Sequence, residues 1–157
     1  MPREPLSSDR LVAQNRRASH DYFILETVEA GLVLTGTEVK SLRQGKASLA
    51  EAYASVEGNE AFVRQMHIPP YEQGNRWNQD PVRRRRLLLH RSEIEVLKEA
   101  VARKGQTIVP LKLYFSRGYA KLLIGIAKGK KTVDKRHAIA ERDARRQMER
   151  AVKESRR

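Results

Sequence analysis

The chain contains no cysteine. Disulfide frameworks, thiolate zinc sites and thiol nucleophiles are therefore excluded as sources of its stability or chemistry. Aromatic residues are scarce at 6%, with a single Trp, and the hydrophobic share is 39%. That share is below the usual globular proportion, so part of the chain does not join a core. No apolar run approaches the roughly 18 residues that a membrane helix needs. The start, Met1-Pro2-Arg3-Glu4, lacks the charged-then-apolar order of a secretory signal. These absences predict a cytoplasmic protein with no membrane contact. Catalytic signatures are missing too: there is no P-loop, no G-x-G-x-x-G, no G-x-S-x-G and no H-E-x-x-H. Four histidines, His20, His67, His90 and His137, are scattered, and no pair has ligand spacing beside a carboxylate. No metal and no cofactor is expected. Glu93, Glu95 and Glu99 are near neighbours on one predicted helix, where a solvated face with an N-terminal cap accounts for them. The chain reads as a protein that is not an enzyme.

What the sequence has in excess is positive charge. Its 157 residues include 32 Lys and Arg against 19 Asp and Glu, a formal charge of +13, which suits a polyanionic partner. The excess is uneven, because the final 30 residues hold 12 basic and 5 acidic side chains and no aromatic. Such a segment buries too little surface to offset its ordering entropy. Three regions are expected: a flexible N-terminal arm over residues 1–12, a folded domain over 13–127, and a basic tail over 128–157. Within the tail, Ala140, Ala144, Met148 and Val152 recur every fourth residue as one narrow stripe, and Arg142, Arg145, Arg146 and Arg150 spread over the remainder. A helix of about 15 residues with so little apolar area is marginal alone in water. The tail is expected to be disordered when free and helical within a groove of polyanionic walls.

Between these ends the pattern is mainly β with helices. His20 to Thr27 and Leu32-Val33-Leu34, separated by Glu29-Ala30-Gly31, predict two strands joined by a hairpin. Thr37 predicts the N-cap of a short helix that runs through Arg43 and stops at Gly45. Ala52 to Val56 and Ala61 to Ile68 flank Glu57-Gly58-Asn59-Glu60 as a second hairpin, and Tyr71 to Val82 reads as an exposed loop. Ser92 and Glu95 fit a capping box for a helix with Ile94, Leu97 and Val101 on one face, closed by Gly105. Thr107 to Phe115 and Tyr119 to Ala127 follow as strands joined by Ser116-Arg117-Gly118, and Pro110 marks an edge or a bulge. About six strands with two or three helices predict an α+β, mainly β fold built as a small barrel.

Basic clusters recur along this body: Arg16-Arg17, then Lys40, Arg43 and Lys46 around the first helix, then Arg83-Arg84-Arg85-Arg86 before Leu87-Leu88-Leu89. Forked guanidinium donors match phosphate oxygens and stack on bases, although a lone basic run also serves as a solvated strand edge. Tyr22, Tyr53, Tyr71, Trp77 and Tyr119 are candidates for base stacking; aromatics at strand positions are mostly core, and of these five Tyr71 and Trp77 sit in a predicted loop.

Several segments carry a family resemblance. Asn15-Arg16-Arg17-Ala18-Ser19-His20-Asp21-Tyr22 is one, and Glu29-Ala30-Gly31-Leu32 with Gly36-Thr37-Glu38-Val39-Lys40-Ser41-Leu42-Arg43 is another. Arg86-Leu87-Leu88-Leu89-His90 and the junction Gly125-Ile126-Ala127-Lys128-Gly129-Lys130-Lys131 running into Asp134-Lys135-Arg136 complete the set. In order and spacing these resemble the bacterial SsrA-binding protein (SmpB) family from about Ala13 onward. The resemblance implies an oligonucleotide-binding-type barrel acting in trans-translation. It implies binding to the tRNA-like end of transfer-messenger RNA and delivery of that RNA to stalled ribosomes, with the tail entering the empty messenger channel near the small-subunit decoding site. Elongation factor Tu with GTP and alanyl-tRNA synthetase are implied as indirect partners, and the protein as a monomer on its RNA. By motif, Asn15, Glu29 and Leu88 match positions of the RNA contact, with the basic residues Arg16, Arg17, Lys40, Arg43, Lys46, Lys128, Lys130 and Lys131 around them. His90 stands where some relatives have asparagine. Gly129, Asp134, Lys135 and Arg136 match the junction linked to tagging on the ribosome, and Arg142, Arg145, Arg146, Met148 and Arg150 belong to the ribosome-engaging tail. Val133 replaces a histidine of some members, and Ala144 lies near an aromatic that some carry. A carboxylate such as Glu29 can read a base by accepting hydrogen bonds from its edge, or serve simply as a turn-stabilising acid. Two other classes remain open from sequence: a constitutive ribosomal or RNA-chaperone protein, and a hydrolase using Glu93 or Glu95.

Overall fold

A computed structural model describes residues 10–73, 80–130, 142 and 144–151. In chain order the elements are β1 (Arg10–Gln14), α1 (Ala18–Asp21), β2 (Tyr22–Leu32), α2 (Gly36–Arg43) and β3 (Tyr53–Glu57). They continue with β4 (Glu60–Arg64), β5 (Arg85–Leu88), α3 (Arg91–Ala102), β6 (Gln106–Ser116) and β7 (Tyr119–Gly129). The strands form one antiparallel sheet ordered β1-β6-β3-β4-β5-β2-β7, and β6 also pairs with β7. That extra pairing closes six strands into a barrel, with β1 added along the second edge of β6. The edge is shared: β1 takes Lys112 to Phe115 and β3 meets Ile108. Closure removes exposed sheet edges.

The barrel interior is filled by Leu42, Leu49, Val63, Met66, Leu87, Leu97, Ile108, Leu113, Leu122 and Ile124, none more than 2% exposed. Each such side chain contributes about 1.5–3 kcal/mol by leaving water. Ile94, Leu97 and Ala100 put one face of α3 into this core. No helix among the described residues is long and apolar enough to cross a membrane.

The two long C-terminal strands follow the sequence reading. Arg117 (φ 52°) and Gly118 (φ 82°) make their two-residue turn, whose left-handed pair matches the twist of the strands. Pro110 sits at a bulge, where the β6–β7 register shifts between Pro110 and Lys112. Elsewhere the structure differs. The expected hairpin at Glu29-Ala30-Gly31 does not exist: β2 runs unbroken through it, with Glu29, Ala30 and Gly31 opposite Leu123, Leu122 and Lys121. Gly31 is needed for a different reason, because a Cβ there would stand 3.2 Å from the Cβ of Leu88 on the neighbouring strand. His20 and Asp21 belong to α1 and not to the strand.

Residues 10–12, expected in a flexible arm, are in β1, whose exposed and half-buried positions show no alternation. Lys128 and Gly129, expected in the tail, extend β7 opposite Phe23 and Tyr22. Both caps lie two residues earlier than expected. Thr35 caps α2 and exchanges hydrogen bonds with Glu38, and the backbone N–H of His90 donates to Glu93 at 2.9 Å.

One ion cluster joins the pieces. Glu38, 4% exposed, lies in the first turn of α2, and Arg85, fully buried, opens β5. The Arg85 Nε donates to Glu38 Oε2 at 2.6 Å, the Arg83 Nε donates to the same oxygen at 3.1 Å, and the Thr35 N–H donates to Oε1 at 2.9 Å. Arg85 also donates to the carbonyls of Met66 and Pro81, the latter at 3.0 Å. Every buried side-chain polar atom among the described residues has a partner. Burial alone raises the Glu38 carboxyl, but donation from Arg83 and the Thr35 backbone and the charge of Arg85 outweigh it and hold the group below its ordinary value. For Arg85 burial pulls downward and Glu38 opposes it, yet a guanidinium stays protonated in either case.

Two consequences follow. Removing one partner strands a buried charge, so Glu38→Ala lowers unfolding stability by about 3–5 kcal/mol, measured by denaturant titration at neutral pH. Because the folded-state pKa is depressed, the Glu38 contribution is complete above the unfolded value near 4.5 and is lost as pH falls through the folded value. Glu38→Gln therefore flattens the acid limb of the stability profile below about pH 4.5, and an unchanged limb contradicts this linkage.

Candidate RNA-binding surface

Residues directly opposite one another in a sheet share a face. Across five strands, from β5 to β1, one such row is Leu88, Gly31, Lys121, Tyr114 and Leu11. It lies on the outside of the barrel, where Leu88 is 52% and Leu11 54% exposed. The next row on this face runs from Glu29 through Leu123 and Lys112 to Gln14. Glu29 and Leu88, far apart in sequence, thus lie on one exterior surface, a diagonal step apart. Tyr114 reaches across β7 and its hydroxyl donates to Glu29 Oε2. Burial and the Glu29 carboxylate raise the Tyr114 pKa, so the phenol remains a donor. Tyr119, at the start of β7, is 72% exposed. His90 is exposed just past β5, at the start of α3.

A basic edge flanks this face. Asn15 is fixed by the β6 bulge: its N–H donates to Leu111 O at 2.8 Å and its Nδ2 to Pro110 O at 3.0 Å. Asn15, Arg17, Asp21, Tyr22 and Tyr53 line a hollow of about 430 Å³. Residues 12–17 and 47–50 line another of about 330 Å³, which brings exposed Arg16 and Arg17 near the segment that follows exposed Lys46. The Arg10 guanidinium passes beside Gly45 and adds to that edge. On α2, Arg43 is exposed, and the Lys40 ammonium lies 5.4 Å from the centre of the Tyr71 ring, within cation–π range.

The residues that end β7 lie beside α1. Lys128 and Gly129 are exposed. The Lys130 backbone N–H donates to Asp21 O at 2.9 Å, its Nζ donates to Ser19 O at 3.0 Å, and the ammonium sits 4.7 Å over the Phe23 ring. Arg142, Arg145, Arg146, Met148 and Arg150 are helical and exposed. Lys131, Asp134, Lys135, Arg136 and Trp77 lie outside the described residues.

Arg83 to Arg86, a phosphate-facing candidate in the sequence, faces carboxylates of its own chain. Arg83 and Arg85 hold Glu38. Arg84 Nη1 donates to Glu57 Oε2 at 2.7 Å while its guanidinium covers the Phe62 ring at 4.0 Å, and Arg86 is 3.5 Å from Glu60. Conversely, Arg10, Leu11, Lys112, Tyr114 and Lys121 escaped the sequence reading. Their signal was the period-two alternation of Lys112 with Tyr114 and of Tyr119 with Lys121 on two facing strands, which puts all four on one side. The surface so assembled offers a carboxylate for base edges, leucine and tyrosine faces for bases, and a cationic edge for phosphates. No cluster of three or more possible metal ligands occurs among the described residues.

Comparison with known proteins gives a consistent answer. Residues 12–154 match the family model described as SmpB protein. The SsrA-binding protein of Macrococcus caseolyticus is 55% identical over 150 residues, covering 96% of this chain and 98% of the relative. The SsrA-binding protein of Acetivibrio thermocellus is 58% identical over 146 residues, covering 93% and 95%. A solved chain from "tmRNA-SmpB: a journey to the center of the bacterial ribosome" is 51% identical and superposes with a TM-score of 0.67 over 81% of this chain and 93% of that one. With the family model spanning nearly all of the sequence, the chain belongs to the SmpB, or SsrA-binding protein, family.

Proposed function

We propose that this protein is a non-enzymatic RNA-binding adaptor of trans-translation. It binds the tRNA-like domain of transfer-messenger RNA and brings that RNA to stalled ribosomes for peptide tagging. The observation that carries the reading is the meeting of Glu29 and Leu88 on one exterior face beside the basic edge of Asn15, Arg16 and Arg17. A carboxylate amid excess positive charge repels phosphate, so its place there is explained by hydrogen bonding to a base. His90, Lys40, Arg43, Lys46, Lys128 and Lys130 extend the contact around that face. Lys131 joins them at the start of the tail.

The division of labour is barrel for RNA, tail for ribosome. The described tail residues 142 and 144–151 are helical and exposed, with Met148 at 71%, as suits a segment whose partner lies elsewhere. Gly129 with Asp134, Lys135 and Arg136 engages the decoding region of the small subunit, and Arg142, Arg145, Arg146, Met148 and Arg150 line the empty messenger channel as a helix. Alanyl-tRNA synthetase and elongation factor Tu with GTP act on the RNA and meet this chain only indirectly. One monomer serves each RNA, and the site of action is the cytoplasm, where ribosomes translate.

Two substitutions separate the parts. Glu29→Ala weakens binding to transfer-messenger RNA by about 1–3 kcal/mol and leaves binding to an unrelated structured RNA unchanged; equal loss on both contradicts a base-reading carboxylate. Replacing Asp134, Lys135 and Arg136 together by Ala preserves RNA affinity and abolishes tagging in a reconstituted translation assay. Normal tagging by that variant contradicts the role given to the tail.

A further inference from the structure

We propose that Tyr114 is a positioning residue of the RNA contact: its hydroxyl holds the Glu29 carboxylate in the orientation that reads a base. The inference rests on the RNA-binding reading above and adds to it a residue from a different strand. Tyr114 is on β6 and Glu29 on β2, with β7 between them. Strands two places apart in a sheet are separated by roughly 9–10 Å. Two side chains meet over that gap only if both are long, and the phenol supplies the length together with a donor at its tip. The bond engages Oε2 of Glu29, which leaves Oε1 for a ligand.

A glutamate on an exposed strand otherwise samples several rotamers, each freezing at a cost when RNA binds. Pinning one oxygen removes that freedom before the encounter. Lys121 stands opposite Tyr114 and Lys112 opposite Leu123 on the same face, so the pinned carboxylate is set among cationic neighbours. The ring itself lies within the row that joins Leu88 to Leu11, so its apolar part covers the floor on which a base edge approaches Glu29. Phe at this position keeps the ring and loses only the donor.

The test is a double-substitution cycle on the full chain, with Tyr114→Phe, Glu29→Ala and the pair together. Each is titrated at about physiological salt against the tRNA-like domain of transfer-messenger RNA and against an unrelated structured RNA of equal length. Tyr114→Phe is expected to weaken the first by about tenfold, as for one hydrogen bond to a charged group, with the second unchanged. In the Glu29→Ala background it is expected to have no further effect. Thermal unfolding of Tyr114→Phe is followed in parallel to register any loss of fold. Full affinity of Tyr114→Phe, or a loss that adds to that of Glu29→Ala, overturns the positioning role while the adaptor reading stands. Failure of the unaltered chain to discriminate between the two RNAs overturns both.

Discussion

The ion cluster of Glu38, Arg83 and Arg85 is the constraint on which the other arrangements depend. A carboxylate at the N-terminal turn of α2 receives two guanidinium groups and a backbone amide inside a region closed to water. Arg85 donates also to the carbonyls of Met66, Pro81 and Arg83. This fixes where the chain re-enters the barrel as β5, and therefore the register of Leu87 in the core and Leu88 outside. The charged helix terminus and the capping Thr35 favour the same anion. The cluster ties α2 to the start of β5 through buried side chains, and the ladders of β5 with β4 and β2 then carry Leu88 to its place opposite Gly31.

The same cluster alters how the net charge of +13 should be understood. Four consecutive arginines look like the most potent phosphate site in the chain, yet local carboxylates occupy all four. The charge available to a polyanion is displaced to the edge of Arg10, Arg16, Arg17 and Lys46, to the end of α2, and to the tail. The exterior of β2, β7 and β6 is a mixed surface with one carboxylate, two lysines, tyrosines and leucines. Such a face suits structured RNA, where shape and base edges are read together with phosphates. Lys130, packed on Phe23 and bound to Ser19, adds a further cation beside α1.

Much of the barrel was legible in the sequence because its strands are rich in β-branched and aromatic residues and several turns carry marked residues. The pair β6–β7 is the clearest case, with Arg117-Gly118 as turn and Pro110 as bulge. Where the signal failed, a local cue had two physical meanings. Gly31 looked like a turn glycine and is instead a site of close strand approach. The arginines of β5 concealed a strand because a buried arginine is so rarely anticipated. The caps moved by two residues since Ser92 and Thr37 satisfy a pattern that His90 and Thr35 satisfy in the fold. Glu29 and Leu88 came from family motifs, and only the pairing of β2 with β5 and β7 shows why they belong together. Tyr114, Lys112 and Lys121 had no motif at all, because their relation to Glu29 exists only through the registers on either side of β7.

The central claim is that recognition resides on the barrel face and ribosome engagement on the tail. Its most direct measurement compares the full chain with a chain ending at Lys130, which keeps β7 and its contacts with α1 intact. Both are titrated at about physiological salt against transfer-messenger RNA and an unrelated structured RNA of equal length. Preference for transfer-messenger RNA retained without the tail is the predicted result. Equal binding to both RNAs, collapsing when the tail is removed, would mean that the affinity is that of a nonspecific basic arm and would contradict the account.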